Sequence, residues 1–193
     1  EGSFIFTFFL TICFLVAFYE WTQMAKKKKY FILGVFFLIF SYYCTLQFRI
    51  NLNENHNIFF LVFVICISTD VGGYLFGNIF KGPKLTKISP KKTYAGMIGG
   101  YLSSIIFAKI FFEYLSKNID LNFTPKFFII VILISSVSQL GDIVISYFKR
   151  LSKVKDTGKI IPGHGGLLDR IDGMIFAFPF SYLIFSTNIF IIN

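Results

Sequence analysis

Six apolar runs of about twenty residues constrain this chain more than any other feature, because a helix of that length crosses a bilayer. They cover residues 3–19, 30–47, 58–77, 94–115, 127–148 and 173–192. Only 15% of the residues are charged, too few for a soluble domain of this size. We therefore predict an all-α, polytopic integral membrane protein with about six transmembrane helices.

The chain shows no repeat and no linker, so we expect residues 1–193 to form a single membrane-embedded domain. Because the first residue is Glu1 rather than Met, we expect the natural N-terminus to lie upstream. The first run is followed by Glu20 and Trp21, and a tryptophan there is typical of the membrane–water interface. The three cysteines lie in apolar runs without CxxC spacing and are predicted to be buried hydrophobic residues.

The basic residues are concentrated in the loops on one side of the predicted bundle. Fifteen of the 19 lysines and arginines lie within residues 26–29, 81–92 and 149–170. Such loops face the cytoplasm, so we expect a protein of the bacterial inner (cell) membrane with its functional site on that side. The net charge of +9 then reflects orientation in the bilayer and attraction of anionic substrates or headgroups rather than nucleic-acid binding.

Two aspartates lie inside apolar runs, where an unpaired carboxylate is unfavourable. Asp70 is followed one helical turn later by Tyr74. Asp142 is followed along its helix face by polar residues, namely Ser146, Lys149 and Arg150. A structural alternative for either aspartate is a protonated side chain bonded between helices, or a carboxylate that packs against a lysine. The charged face after Asp142 favours a functional site.

The segment after the fifth run is the most polar part of the chain. Its charged residues include Lys149, Arg150, Lys155, Asp156, Lys159, Asp169, Arg170 and Asp172. Several carboxylates with room for phosphate oxygens suit Mg²⁺, so Asp142, Asp169 and Asp172 are predicted to bind it. Alternatively, Asp169 and Asp172 cap a helix N-terminus, and the basic residues only orient the protein in the membrane.

A glycine-rich turn interrupts this segment and reads Pro162-Gly163-His164-Gly165-Gly166. Its backbone amides can approach phosphate oxygens closely, because glycine has no side chain. His164 is predicted to contact phosphate or to assist leaving-group charge, although a lone histidine is more often structural. A second basic loop carries Ser89, Lys91, Lys92 and Thr93. Binding of an anionic headgroup or nucleotide and simple helix capping explain this loop equally well.

Residues 146–172 resemble the signature of the phosphatidate cytidylyltransferases, also called CDP-diacylglycerol synthases. That signature is Ser, two residues, Lys-Arg, four residues, Lys-Asp, a spacer, Pro-Gly-His-Gly-Gly and Asp-Arg-x-Asp, and every position is matched. Glu20-Trp21 and residues 70–77 and 87–96 also look like elements of the family. Where the family often has Trp and an acidic residue after Lys-Thr, this chain has Tyr94 and Ala95.

The resemblance implies transfer of CMP from CTP to phosphatidate in phospholipid biosynthesis, with Mg²⁺ as cofactor. It implies catalytic roles for the charged residues Asp142, Lys149, Arg150, Lys155, Asp156, His164, Asp169, Arg170 and Asp172. It implies substrate-binding roles for Asp70, Tyr74, Ser89, Lys91, Lys92, Thr93, Ser146, Gly163, Gly165 and Gly166. A homodimer is a further expectation.

Two other functions stay open at the level of the sequence. One is a CTP-dependent lipid kinase of the dolichol-kinase type, or a synthase for a different lipid phosphate. The other is an ion-coupled transporter whose intramembrane aspartates form an ion path, although this function leaves the glycine-rich turn unexplained. The chain has no GxxxxGK[ST] or HExxH motif, and two histidines without clustered cysteines argue against zinc chemistry.

The charge distribution predicts the side of the membrane that each loop faces. In a cysteine-free variant, a new cysteine at Lys28, Lys84 or Lys159 is expected to react with an impermeant thiol reagent only after the cells are permeabilised. A cysteine at Asn118, in an opposite loop, is the control and is expected to react on intact cells. Labelling of any of the three basic loops on intact cells would contradict this topology.

Overall fold

The computed structural model describes residues 2–51, 56–86, 88–89, 91–115, 125–163 and 165–187. Over these residues the chain is mostly helical and has no regular strand. The helices are α1 (Gly2–Ala25), α2 (Phe31–Asn51), α3 (His56–Phe80), α4 (Tyr94–Leu115), α5 (Pro125–Leu151), α6 (Leu168–Ile171) and α7 (Met174–Ser186). The predicted all-α polytopic fold is confirmed.

Five of the described helices, α1 to α5, are long and apolar enough to cross a membrane. Each corresponds to one predicted run, and α1 extends the furthest beyond its prediction, continuing past residue 19 to Ala25. The sixth run corresponds to α7, which has 13 residues. The end of that run, residues 188–192, lies outside the described residues.

Trp21 is buried inside the protein, with its side chain against other helices, and its position at the membrane–water interface stays a prediction. Its indole Nε1 donates a hydrogen bond of 3.1 Å to the carbonyl oxygen of Phe31, and its ring packs against Tyr30 and Phe148. The indole fits because Gly34 has no side chain, and a Cβ there would overlap the ring. Trp21 therefore ties α1 to α2 and α5 near the end of the bundle that carries the polar residues.

Glycines let α3 and α4 approach at backbone distance. A Cβ built on Gly72 would overlap Ser103 and lie 2.6 Å from the carbonyl oxygen of Gly99. A Cβ on Gly96 would lie 2.7 Å from the carbonyl oxygen of Gly73. Close contact of small residues is how helices associate in lipid, where no hydrophobic effect drives them together.

The start of α7 is packed just as closely against α5. A Cβ on Gly141 would lie 2.9 Å from the carbonyl oxygen of Asp172, and one on Gly173 would overlap Ser138. One turn earlier on α5, the hydroxyl of Ser135 forms a buried hydrogen bond of 2.8 Å with the hydroxyl of Thr69 on α3. These contacts bring Asp172 to the segment of α5 that carries Asp142.

Replacing Gly72 by alanine is expected to destabilise the protein by roughly 1–3 kcal/mol, because the new methyl group overpacks the α3–α4 contact. Gly73 is the matched control, since its Cβ would meet only the carbonyl oxygen of Gly96 at an ordinary 3.5 Å. Thermal unfolding of both purified variants in detergent measures the difference. Equal midpoints would show that α3 and α4 are not in tight contact at Gly72.

Candidate active site

Three aspartates from different parts of the chain approach one another at the basic end of the bundle. Asp70 lies on α3, Asp142 lies on α5, and Asp172 lies between α6 and α7. The charge of Asp142 acts on Asp70, and the charges of both act on Asp172. Asp142 and Asp172 are also within hydrogen-bonding reach of each other. The two intramembrane aspartates singled out in the sequence therefore belong to one cluster.

Asp172 is the most buried carboxyl group of this cluster, with 7% of the residue exposed. Burial raises its pKa well above the ordinary value, and the like charges of Asp142 and Asp70 raise the pKa further. Oδ1 of Asp172 accepts a hydrogen bond of 2.9 Å from the amide of Gly173. A proton or a cation bound between the carboxylates would relieve their repulsion.

Lys92 joins the second basic loop to this cluster. Its Nζ lies 2.5 Å from Oδ2 of Asp142, whose Oδ1 accepts a hydrogen bond of 3.3 Å from Ser146. Thr93, the next residue, caps α4 by accepting a hydrogen bond of 3.1 Å from the amide of Gly96. The capping alternative therefore holds for Thr93, whereas Lys92 belongs to the charged cluster.

Asp169 has hydrogen-bond partners of its own, although one of them, Lys149, also acts on Asp172 through its charge. Oδ1 of Asp169 is 2.8 Å from Nζ of the buried Lys149, and its Oδ2 accepts hydrogen bonds from the amides of Thr157 and Gly166 at 2.8 and 3.0 Å. Burial raises the pKa of Asp169, but the hydrogen bonds from Lys149, Gly166 and Thr157 outweigh it and hold the pKa below its ordinary value. Asp169 is thus a fixed anion that ties residues 152–167, the polar loop, to α5.

The predicted metal ligands Asp142, Asp169 and Asp172 are therefore not brought together as one set. Asp70, rather than Asp169, is the third carboxyl group whose charge interacts with those of Asp142 and Asp172. Within the described residues, no three His, Cys, Asp or Glu side chains stand together as a metal site. The donor chemistry of the Asp70, Asp142 and Asp172 cluster nevertheless suits a hard divalent cation, because it offers several mutually repelling carboxylates. Mg²⁺ stays a prediction.

Several predicted residues lie at the surface around the cluster. The exposed residues are Asp70, Tyr74, Lys91, Arg150, Lys155, Asp156, Gly163 and Arg170. Tyr74 is 70% exposed, so it does not close over Asp70. Arg150 donates a hydrogen bond of 3.4 Å to the carbonyl oxygen of Val154, at the start of the polar loop. Substrate contacts for these residues stay predictions.

The glycine-rich turn is only partly available for phosphate. Gly163 and Gly165 have φ angles of 73° and 86°, a conformation that favours glycine. The amide of Gly166 already donates a hydrogen bond to Asp169, so Gly166 helps to hold the polar loop in place. His164 lies outside the described residues.

In the second basic loop, the amide of Ser89 donates a hydrogen bond of 3.1 Å to the hydroxyl of Thr86.

Glu20, noted in the sequence only as part of a family element and given no role, is a further polar residue of this region. It is buried on α1 and contacts the far end of the polar loop, with an oxygen 2.9 Å from the amide of Leu167. The available signal was an acidic residue at the end of an apolar run, where a carboxylate is unfavourable without a partner.

An apolar cavity of about 210 Å³ lies on the side of α6 that faces α1 and α2. Leu167 and Ile171 form part of its wall, together with residues of α1, α2, α3 and α7. Its polar groups are satisfied within the protein, since Ser41 donates a hydrogen bond of 2.7 Å to the carbonyl oxygen of Ile175. Such a lining suits a hydrocarbon chain.

Comparison with known proteins gives a consistent result. A model of the cytidylyltransferase family matches residues 30–188. The phosphatidate cytidylyltransferase of Rickettsia typhi is 36% identical over 176 residues, which cover 89% of this chain and 76% of the relative. That of Haemophilus influenzae is 42% identical over 136 residues, which cover 67% of this chain and 47% of the relative.

The phosphatidate cytidylyltransferase of Staphylococcus saprophyticus is 36% identical over 164 residues, which cover 83% of this chain and 62% of the relative. This chain thus spans from 47% to 76% of the length of these three relatives. The family match extends over the whole region from Asp70 to Asp172 in which the charged residues meet. On these grounds the chain belongs to the cytidylyltransferase family.

Proposed function

We propose that this chain transfers CMP from CTP to phosphatidate, with CDP-diacylglycerol and pyrophosphate as products. Its relatives carry the name phosphatidate cytidylyltransferase. The observation that carries the proposal is the meeting of Asp142 and Asp172 with Lys92 and Lys149 at the basic end of a membrane bundle. Buried charges of both signs in a membrane protein indicate a functional site.

The chemistry of this transfer requires positioned charges rather than a strong base. A phosphate oxygen of phosphatidate forms a bond to the α-phosphorus of CTP, and the bond from that phosphorus to the pyrophosphate oxygen breaks. The attacking oxygen is already anionic. The difficulty lies in bringing several anions together and in stabilising the charge that develops on pyrophosphate.

Lys92 and Lys149 are the buried or half-buried cations best placed to hold phosphate groups. Each is paired with a carboxylate, Lys92 with Asp142 and Lys149 with Asp169. Phosphate oxygens compete for the same donors, so an anion that draws Lys92 away would release Asp142. The exposed Arg150 and Lys155 would attract the triphosphate from the aqueous side.

Asp142 and Asp172, with Asp70 beside them, would hold Mg²⁺ in this proposal. The bound ion supplies positive charge that offsets the negative charge of the phosphate oxygens. Asp169 has a different task, because its carboxylate is already engaged by Lys149 and by two amides of the chain. It holds the polar loop in place, and through that loop it fixes the approach to the cluster.

The two substrates would reach the site from different sides. CTP would come from the cytoplasm, so in this proposal the cluster lies on the cytoplasmic face of a bacterial inner membrane, and the basic loops at that end support this side. Phosphatidate stays in the bilayer, and the apolar cavity beside Leu167 and Ile171 suits one of its acyl chains. The homodimer expected from the sequence stays a prediction.

Purified protein with phosphatidate and Mg²⁺ tests the proposed function. With each nucleoside triphosphate in turn, CTP is expected to give CDP-lipid and pyrophosphate, and label from α-labelled CTP is expected to enter the lipid. Label that enters the lipid only from γ-labelled CTP would identify a kinase instead. Ion flux in proteoliposomes without any nucleotide turnover would identify a transporter.

Asp142→Asn and Asp172→Asn are each expected to lower turnover by on the order of 100-fold, because asparagine loses the charge that a hard cation requires. The double variant should be little worse than either single one, since the ligands act as a unit. The Mg²⁺ requirement should rise as pH falls, because protons compete for Asp172 and its pKa is raised.

Glu113→Gln is the matched control for these variants, because Glu113 is an exposed carboxylate paired with Lys109 on α4. Its turnover is expected to equal that of the unmodified protein. Normal turnover of Asp142→Asn at limiting Mg²⁺ would show that this carboxylate is structural.

A further inference from the structure

We infer that Glu20 is a positioning residue, which ties the polar loop and the start of α6 to α1 and thereby sets where Asp169 and Asp172 stand. The inference rests on the proposed function for its catalytic consequence. Glu20 does not contact the aspartate cluster itself, so it acts only through the segment that it holds.

The environment of Glu20 demands a set of hydrogen-bond donors. The residue is 1% exposed and lies on a membrane-spanning helix. A buried carboxylate is unfavourable unless its oxygens are bonded. Across the part of the chain that the structure describes, Glu20 takes part in no ion pair. Within the described residues, its hydrogen-bond partners come from the polar loop and the start of α6.

Both oxygens of Glu20 accept hydrogen bonds from this segment. Oε1 lies 2.9 Å from the amide of Leu167. Oε2 lies 2.8 Å from the amide of Leu168 and 3.3 Å from the hydroxyl of Thr157. The first amides of a helix have no partner within it, and α6 has no side-chain cap at its own N-cap residue. Glu20 therefore caps α6 from another helix.

The polar loop is shaped to receive this carboxylate. A Cβ built on Gly158 would lie 2.5 Å from Oε1 of Glu20, and one on Gly166 would lie 2.5 Å from Oε2. A side chain at either position would push the loop away from α1. The polar loop therefore has glycine at both of the positions that lie against the carboxylate of Glu20, Gly158 and Gly166.

Glu20 and Asp169 accept hydrogen bonds from different donors of the same segment, residues 157–168. Asp169 takes the amides of Thr157 and Gly166, whereas Glu20 takes the next two amides and the hydroxyl of Thr157. Asp172 follows Leu168 by one helical turn. The position of Asp172 beside Asp142 therefore depends on how the start of α6 is held, and a misplacement of about 1 Å can reduce turnover by on the order of 100-fold.

The test uses Glu20→Ala and the near-isosteric Glu20→Gln, with Glu113→Gln as the control. Hydrogen–deuterium exchange of the purified proteins reports on the loop without any substrate. In Glu20→Ala, exchange is expected to rise in residues 157–168 while α3, α4 and α5 keep their protection. Glu20→Gln keeps one acceptor oxygen and should lie between Glu20→Ala and the unmodified protein.

Turnover with α-labelled CTP and phosphatidate supplies the second readout. Glu20→Ala is expected to lower kcat by on the order of 10- to 100-fold with little change in KM for CTP, and Glu20→Gln should recover part of the loss. Unchanged exchange in residues 157–168 of Glu20→Ala would overturn the inference, and so would a rise spread evenly over all helices. If the unmodified protein forms no CDP-lipid, the proposed function fails and the exchange experiment still decides whether Glu20 anchors the loop.

Discussion

Buried carboxylates at one end of a membrane bundle must find partners, and the rest of this structure depends on that requirement. Asp142 forms an ion pair with Lys92. Asp169 forms an ion pair with Lys149 and accepts hydrogen bonds from two amides. Glu20 accepts hydrogen bonds from two amides and a hydroxyl. Each partner comes from a different helix or loop than the carboxylate it satisfies. The bonds that satisfy the charges therefore also hold the polar end of the bundle together, and Asp172 faces like charges where a cation would be favourable.

Close backbone approach makes these pairings possible. Gly141 and Gly173 let the start of α7 lie against α5, which brings Asp172 to Asp142. Gly158 and Gly166 let the polar loop reach Glu20 on α1. The charged residues can therefore meet only because glycines lie at several distant positions in the sequence. The arrangement of the charged residues depends on the packing of the backbone at this end of the bundle.

The spans could be predicted from the sequence because run length alone decides whether a helix crosses a bilayer. The grouping of the aspartates could be predicted only in part, since Asp142 and Asp172 lie together as expected whereas Asp169 has other partners. Asp169 and Asp172 are spaced as neighbours on a helix face, and the backbone keeps helical angles through Asp172. Their partners nevertheless differ, because Lys149 and two amides engage Asp169 whereas Asp142 lies beside Asp172. The contact of Trp21 with Phe148 and the role of Glu20 could not be predicted, because Phe148 and Leu168 lie more than a hundred positions away from them in the sequence.

Binding of Mn²⁺ to the purified protein tests most directly whether Asp142 and Asp172 together hold a divalent cation. Electron paramagnetic resonance distinguishes bound from free Mn²⁺ without any turnover. We expect about one tight Mn²⁺ per chain that Mg²⁺ displaces, with affinity reduced roughly ten-fold or more in Asp142→Asn and in Asp172→Asn, and unchanged in Glu113→Gln. Tight binding that survives in both aspartate variants would contradict the assignment of these carboxylates as the metal ligands.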